Sequence, residues 1–388
     1  MYKRKQMQTI DFKNFIAGKW LQQYQYKSFT PNKICIQWLI SSPRLLNKLG
    51  EADRYLGRLD TFSELIPDID FFIKMHVTKE ATVSSKIEGT QTSFEEVFIK
   101  EENINPEKRN DWQEVHNYIQ ALNQAIVAMR DLPISNRLIK QTHKTLLQGA
   151  RGKEKLPGEY RNSQNWIGNS LKDPVFIPPT HEEIPDLMQD LEQFINAEIM
   201  DLPVEVPHLI KIALVHYQFE TIHPFLDGNG RIGRLLITLY LIDKDLLQKP
   251  TLYLSDYFER NRRDYYDNLT QVRKKNDIEN WLYFFLDGVI DTAKKSIKSF
   301  NSIIKLRDEI ELNRLIQLGR KQADGKRLIN LLYKVPILDS KEVAQALKIH
   351  SSTANRLIKD FEDLKILTEL TGYKRNRMYA FYEYIRIF

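Results

Sequence analysis

Within twelve residues, His223-Pro224-Phe225-Leu226-Asp227-Gly228-Asn229-Gly230-Arg231-Ile232-Gly233-Arg234, the chain gathers an imidazole, a carboxylate, a glycine-rich turn and two guanidiniums. An imidazole titrates near neutral pH, so His223 can take a proton from an attacking hydroxyl. Asp227 supplies an oxygen of the kind Mg2+ prefers, and Mg2+ commonly uses one or two carboxylates plus substrate phosphates. The glycines of Gly228-Asn229-Gly230 let the backbone approach a ligand closely. Arg231 and Arg234 stand one turn apart on a helix that opens at about Arg231, on neighbouring positions of one face. The start of a helix offers unpaired N–H groups and a positive dipole end, so with two guanidiniums beside it the turn suits a polyanion such as a di- or triphosphate. A plain helix–helix turn needs one glycine and none of the other groups. The sequence contains no GxxxxGK[ST] run, which leaves a P-loop mechanism without support.

Those groups need a frame. Residues 209–220 before the loop and 235–242 after it are apolar-rich runs suited to buried helices, so the turn joins two core helices. His208 and His216 on or near the first of them read as packed core histidines, since Mg2+ does not favour imidazole. Helical spacing begins at about Pro43, and residues 71–76 lead a second stretch that ends in Ser84-Ser85-Lys86-Ile87-Glu88-Gly89, with Gly89 as a C′ glycine. A helix dipole disfavours an anion at its C-terminus, so Glu88 is more comfortable beside an arginine. Residues 90–96 then read as a fresh N-cap with an acidic first turn. Residues 1–40 are aromatic and basic, and read as an extended arm that carries no chemistry.

Composition bounds the rest. A chain of 388 residues is too long for one ordinary core and suggests two or three domains. With 42% hydrophobic residues it can pack them. Net charge is +6, from 57 Lys and Arg against 51 Asp and Glu, mild for this length. Cys35 is the single cysteine, which excludes an intrachain disulfide and Cys-based zinc sites and suits a reducing cytosol. The basic start is followed by polar residues instead of an apolar stretch, and no run approaches the roughly 20 apolar residues of a membrane helix. A soluble, cytoplasmic protein with no membrane partner is expected.

The twelve-residue stretch resembles the signature of the Fic (Fic/DOC) family, HxFx(D/E)GNGRxxR, at every specified position. The resemblance implies a mainly α-helical Fic core and transfer of a nucleotide monophosphate, usually AMP from ATP, to a protein hydroxyl. On that pattern His223 is the base, Asp227 holds Mg2+, and Gly228, Asn229 and Gly230 form the anion hole. Arg231 would grip the α/β-phosphates and Arg234 the γ-phosphate. Ser84 and Glu88, in Ser84-x-x-x-Glu88-Gly89, match the family's (S/T)xxxE(G/N) inhibitory motif. A bidentate Glu88–Arg234 pair is the contact this implies, competing for the guanidinium that the γ-phosphate needs.

Residues 164–170 and 174–179 read as two short strands around a polar turn, with prolines that suit an edge hairpin able to add a strand from an extended peptide. The family uses such a hairpin as a flap that clamps the target, which here puts Ile167, Gly168, Val175 and Phe176 beside it. Tyr266 falls where the family places the nucleotide base and is a candidate wall for the adenine. A shift in composition at 305–327, with a break at Gly325, leads to helix–turn–helix spacing over 340–361. A two-stranded wing over 367–381 follows, and together these resemble a winged helix. Lys374, Arg375 and Arg377 on the wing could touch phosphates, and docking of a protein is as open as docking of DNA. The division expected is 1–104 with the inhibitory motif, 105–304 as the catalytic core and 305–388 as linker helix and winged helix. Expected partners are ATP, Mg2+ and a target protein with a modifiable hydroxyl, the chain itself and a homo-oligomer included. The competing readings are a DNA-binding regulator that senses nucleotide through the Fic fold, and a Fic enzyme that removes AMP or transfers another group.

Overall fold

A helix that is apolar on every side can only sit inside a ring of others. Residues 209–222 are all buried, and the fold is built around them. The computed structural model describes residues 9–64, 69–149, 152–170, 173–200, 202, 204–372 and 377–388. In chain order the helices are α1 (Pro43–Glu64), α2 (Ile69–Ile87), α3 (Arg109–Ala128), α4 (Asn136–Leu146), α5 (Ile184–Ile195), α6 (His208–Ile222) and α7 (Asn229–Asp243). There follow α8 (Ser255–Arg260), α9 (Arg262–Lys275), α10 (Ile278–Glu309), α11 (Gln322–Lys334), α12 (Ser340–Leu347), α13 (Ser351–Asp363) and α14 (Tyr382–Ile385). The central α6 packs on α5, α7 and α10, while α2, α3 and α4 close around α7. The glycine turn between α6 and α7 therefore lies inside a mainly α-helical core.

The strands are short and peripheral. β1 (Thr9–Asp11) pairs in parallel with β4 (Gln37–Leu39), and β2 (Gly18–Gln22) pairs antiparallel with β3 (Lys27–Pro31), setting Trp20 opposite Phe29. β5 (Ile167–Ser170) and β6 (Asp173–Phe176) form the expected hairpin, with register shifts on either side of Gly168. The arm over residues 9–40 does more than lie on the surface. Phe29 donates its N–H to the Ile177 carbonyl at the foot of the hairpin (2.9 Å), and the N–H groups of Ile34 and Cys35 share Asp190 Oδ2 on α5.

Toward the C-terminus three expectations change. α10 runs unbroken across residue 304 to Glu309, and the backbone leaves helical geometry at Gly319 (φ 54°) instead of Gly325. Gly325 sits inside α11, where a Cβ would come within 2.5 Å of Leu318 Cδ1, so that glycine serves close packing and no turn. The two expected strands, β8 (Thr368–Glu369) and β9 (Met378–Ala380), gain a third, because β7 (Ile337–Asp339) pairs with β9 ahead of α12. Lys374 and Arg375 lie outside the described residues; Arg377 is exposed. The module docks on α2, where the Phe72 ring meets those of Tyr333 and Tyr384 at 5.4 and 6.2 Å.

Residues 90–96 do not open a helix. Ser93 and Glu96 do exchange the two hydrogen bonds of a capping box, but only a 3-10 turn over Glu96–Phe98 follows. Ile99 is already extended, and Phe94 and Phe98 pack edge to face (5.5 Å).

Candidate active site

The loop between α6 and α7 is shaped by two left-handed residues. His223 caps α6 at φ 51° and ψ 60°, a conformation uncommon for any residue but glycine, and its N–H closes the helix on the Phe219 carbonyl (2.9 Å). Gly228 takes φ 78° just before α7. Asn229, buried, folds the loop between them: its Oδ1 accepts from the Phe225 N–H and its Nδ2 donates to the Phe225 carbonyl, both at 2.8 Å. Its side chain is thus committed to the loop, and only its backbone N–H is left for an anion hole. The N–H groups in the first turn of α7 have no intrahelical partners and can meet an anion.

His143, which no sequence feature singled out, holds the loop from α4. Its ring stacks on Phe225 (centroids 3.7 Å apart), and its Nδ1 accepts from the Gly158 N–H at 2.9 Å. The proton therefore sits on Nε2, which donates to the Asp227 carbonyl (3.0 Å). Asp227 keeps 47% of its side-chain surface open, and its Oδ1 lies 3.4 Å from Arg231 Nη2. Among the described residues no group of three or more His, Cys, Asp or Glu is arranged to hold a metal on its own. One half-open carboxylate beside an anion site nevertheless suits Mg2+ that arrives with phosphates, which complete its ligand set.

The two arginines differ in their partners. Arg231 Nη1 is held at 2.9 Å by Glu114 on α3, an acid 117 residues away in sequence that nothing in the sequence connects to it. Arg234 is buried, and its fork is divided. Nε donates to Ser84 Oγ (2.8 Å), while Nη2 reaches both the Ser84 carbonyl (2.8 Å) and Glu88 Oε1 (2.7 Å). The Glu88 contact is single, not bidentate, because Ser84 occupies part of the fork. Burial pushes the Glu88 carboxyl up, but the charges of Arg234 and Arg231 outweigh it and leave it below the usual range. Gly230 makes room for the pair: a Cβ there would stand 2.2 Å from Glu88 Oε1 and 2.9 Å from Arg234 Nη1. The end of α2 is held as well, by Arg262 Nη2 on the Ile87 carbonyl at 2.7 Å.

Around this centre the other expected residues separate. Phe176 turns inward under the Arg273 guanidinium, 3.8 Å from the ring centroid, so its side chain cannot face a target; Val175 beside it is 69% exposed, Gly168 is exposed and Ile167 is half-buried. Tyr266 is 40% exposed, whereas Tyr265 belongs to the core and donates to His216 Nε2 (2.9 Å), whose Nδ1–H meets the Gly233 carbonyl. His208 pairs with the Tyr240 hydroxyl (2.9 Å), so both extra histidines are structural. Glu220 is a further buried acid with no signal in the sequence. Its Oε1 has no hydrogen-bond partner among the described residues and lies 2.4 Å from where a Cβ on Gly233 would stand, and burial pushes its carboxyl up to about 7.

Residues 46–127 match the model of the Fic/DOC family N-terminal region, and residues 133–241 match that of the Fic/DOC family itself. The chain belongs to the Fic/DOC family. Relatives named Protein adenylyltransferase Fic include one from Aedes aegypti, 28% identical over 194 residues, which are 50% of this chain and 34% of that protein. Another, from Culex quinquefasciatus, is 34% identical over 130 residues, 34% of this chain and 23% of that one. This Fic chain therefore matches about a third or less of the length of those relatives. In structure it is similar to a Fic family protein from Desulfovibrio desulfuricans G20, with a TM-score of 0.55 at 22% identity over 88% of this chain and 96% of that one. It is also similar to a Fic domain containing signaling protein from Bacteroides thetaiotaomicron VPI-5482, with a TM-score of 0.53 at 20% identity over 64% and 96% of the two chains.

Asn229→Ala should destabilise this Fic protein by about 1–3 kcal/mol for each Phe225 backbone group that it strands. Urea unfolding of the two proteins measures the difference. A shift in midpoint too small to resolve would mean that the loop holds its shape without Asn229.

Proposed function

We propose that the chain is a transferase that moves AMP from ATP to a protein hydroxyl, with Glu88 as an intrinsic brake. The reading rests chiefly on one observation, a neutral imidazole beside the N-terminus of α7. Burial first, then the positive charge of Arg161, lowers the His223 ring to about 4, so it is unprotonated at neutral pH and free to accept a proton. The target hydroxyl oxygen would attack the α-phosphorus, its proton passing to His223, while the bond to the bridging oxygen breaks and pyrophosphate leaves. First-turn N–H groups of α7 would meet the charge that develops on the α-phosphate. Arg231 and Arg234 would hold the phosphate chain, the second only when Glu88 yields. Mg2+ held by Asp227 would supply a compensating positive charge on the phosphates when bound.

The naming of the mosquito relatives favours AMP over other groups. Members that remove AMP or pass on another group could use the same base, so the nucleotide is the quantity to test. Among the described residues no helix is long and apolar enough to cross a membrane, and Cys35 is free and buried; we infer a reducing, cytoplasmic setting. His223→Ala should abolish transfer of label from ATP while leaving ATP affinity within about threefold, because the base acts on the hydroxyl and not on the phosphates. Undiminished transfer by the variant would refute the role. Transfer of label from another nucleotide alone would refute AMP as the group.

A second reading applies to the C-terminal module, which we infer is a winged helix that touches DNA. Residues 305–388 hold six more Lys and Arg than Asp and Glu, which is the whole of the chain's +6. The outward face of α13 presents Ser351, Ser352, Thr353, Asn355 and Arg356, and Lys348 is exposed in the turn before it. Those side chains suit phosphate and groove contacts. Replacing Lys348 and Arg356 together by Ala should weaken duplex binding and reduce the slope of log affinity against log salt by about 2. A wild type that shifts no duplex at low salt would leave the module to a protein partner.

A further inference from the structure

Arg161 lies in the segment just before the flap hairpin, between Tyr160 and the run that leads into β5. It is 2% exposed, and its hydrogen bonds among the described residues reach both the His223 loop and the flap. Its Nε donates to the His223 carbonyl (3.0 Å), and its own N–H donates to the next carbonyl along, that of Pro224 (2.9 Å). The rest of its fork goes to the two feet of the hairpin, Nη1 to the Ser163 carbonyl (3.1 Å) and Nη2 to the Pro179 carbonyl (2.5 Å). One guanidinium thus spans the residue that would take the proton and both ends of the hairpin that would present the hydroxyl. Asn165 adds a weaker tie of the same kind, Nδ2 to the Phe225 carbonyl at 3.0 Å.

Two features make the arrangement more than packing. His223 sits in a left-handed conformation that its side chain disfavours, and such conformations persist only where surroundings fix them. Consecutive carbonyls of that strained segment are held by Arg161 and by nothing else in hydrogen-bonding range among the described residues. The charged groups that bear on the His223 ring are Arg161 from this segment, Arg273 from α9 and Glu88 from the end of α2, and the Glu220 backbone adds a hydrogen bond. Arg161 and Arg273 oppose a proton on the ring, whereas Glu88 favours one.

We propose that Arg161 is a positioning residue that locks the flap and the His223 loop into one unit. The proposal rests on the reading of His223 as base, but its geometry can be tested without any transfer. Proton-transfer catalysis needs the hydroxyl and the base in register, and a misplacement of about 1 Å can cost on the order of a hundredfold in rate. Ties at both feet of a hairpin deny it that freedom.

Arg161→Gln and Arg161→Lys separate charge from geometry, since lysine keeps the charge but cannot span the three carbonyls that the guanidinium reaches. The His223 ring would be titrated by NMR, and amide exchange would be followed over residues 163–179, with the α6–α7 core as internal reference. In Arg161→Gln the ring should titrate about one pH unit higher, because removing a positive charge eases protonation. Exchange at the flap should quicken about tenfold or more relative to the core in both variants, with the Arg161→Lys ring close to wild type. ATP affinity should stay within about threefold, and any transfer should lose kcat rather than gain KM for ATP. Should Arg161→Gln not fold, flap exchange in Arg161→Lys decides alone. Flap exchange that rises no more than core exchange overturns the proposal. Absence of transfer in both wild type and Glu88→Gly would overturn the proposed activity and leave both of these measurements standing.

Discussion

The structure around the site turns on a buried guanidinium. Arg234 is 3% exposed, and a charge so far from water is tolerated only when it is paired and hydrogen-bonded. Ser84 and Glu88 meet that need from α2, at neighbouring positions one turn apart, so the burial of Arg234 fixes where α2 ends. Glu88 raises the affinity of Arg234 for its proton as Arg234 holds the Glu88 carboxyl ionised. Removing the acid alone would leave Arg234 with the neutral oxygens of Ser84 and without its one hydrogen-bonded carboxylate among the described residues. The site then has an appetite for another anion. On the proposed reading the γ-phosphate is that anion, and inhibition and nucleotide grip are two states of one charge balance.

The same helix connects distant parts of the chain. Its first turns pack under the C-terminal module through Phe72, and its last residues reach Arg234, with Arg262 capping the Ile87 carbonyl between α2 and α9. Midway, Glu80 is buried, accepts hydrogen bonds from Tyr118 and Ser255, and has its carboxyl pushed up by burial. Glu80, Ser84 and Glu88 thus line one face of α2 and bind it in turn to α3, α7 and α8. α2 is therefore fastened along its length.

How much of this could be read from the sequence depended on distance along the chain. The two apolar runs and the turn between them were legible because buried helices and glycine turns are local patterns, and α6 and α7 stand where residues 209–220 and 235–242 suggest. The link from Glu88 to Arg234 was suggested by a motif, but the sharing of the fork with Ser84 depends on which way a serine points. Glu114, His143, Glu220 and Arg161 left no trace, since their partners are far away in sequence and neither charge nor spacing marks them out. Phe176 was placed correctly on its strand and wrongly on its face, because an arginine from α9 lies beneath it. Gly325 and residues 90–96 failed for a related reason: a glycine required by packing and a capping box without a helix look, in one dimension, like a turn and a helix start.

The most direct test of the charge balance at Arg234 is the initial rate of labelled AMP incorporation at equal, saturating ATP for wild type and Glu88→Gly. The account predicts a rate roughly a hundredfold higher without the carboxylate, since a phosphate chain that can reach Arg234 aligns its α-phosphorus for attack. Equal rates in the two proteins would contradict it and leave Glu88 as a residue that merely ends a helix.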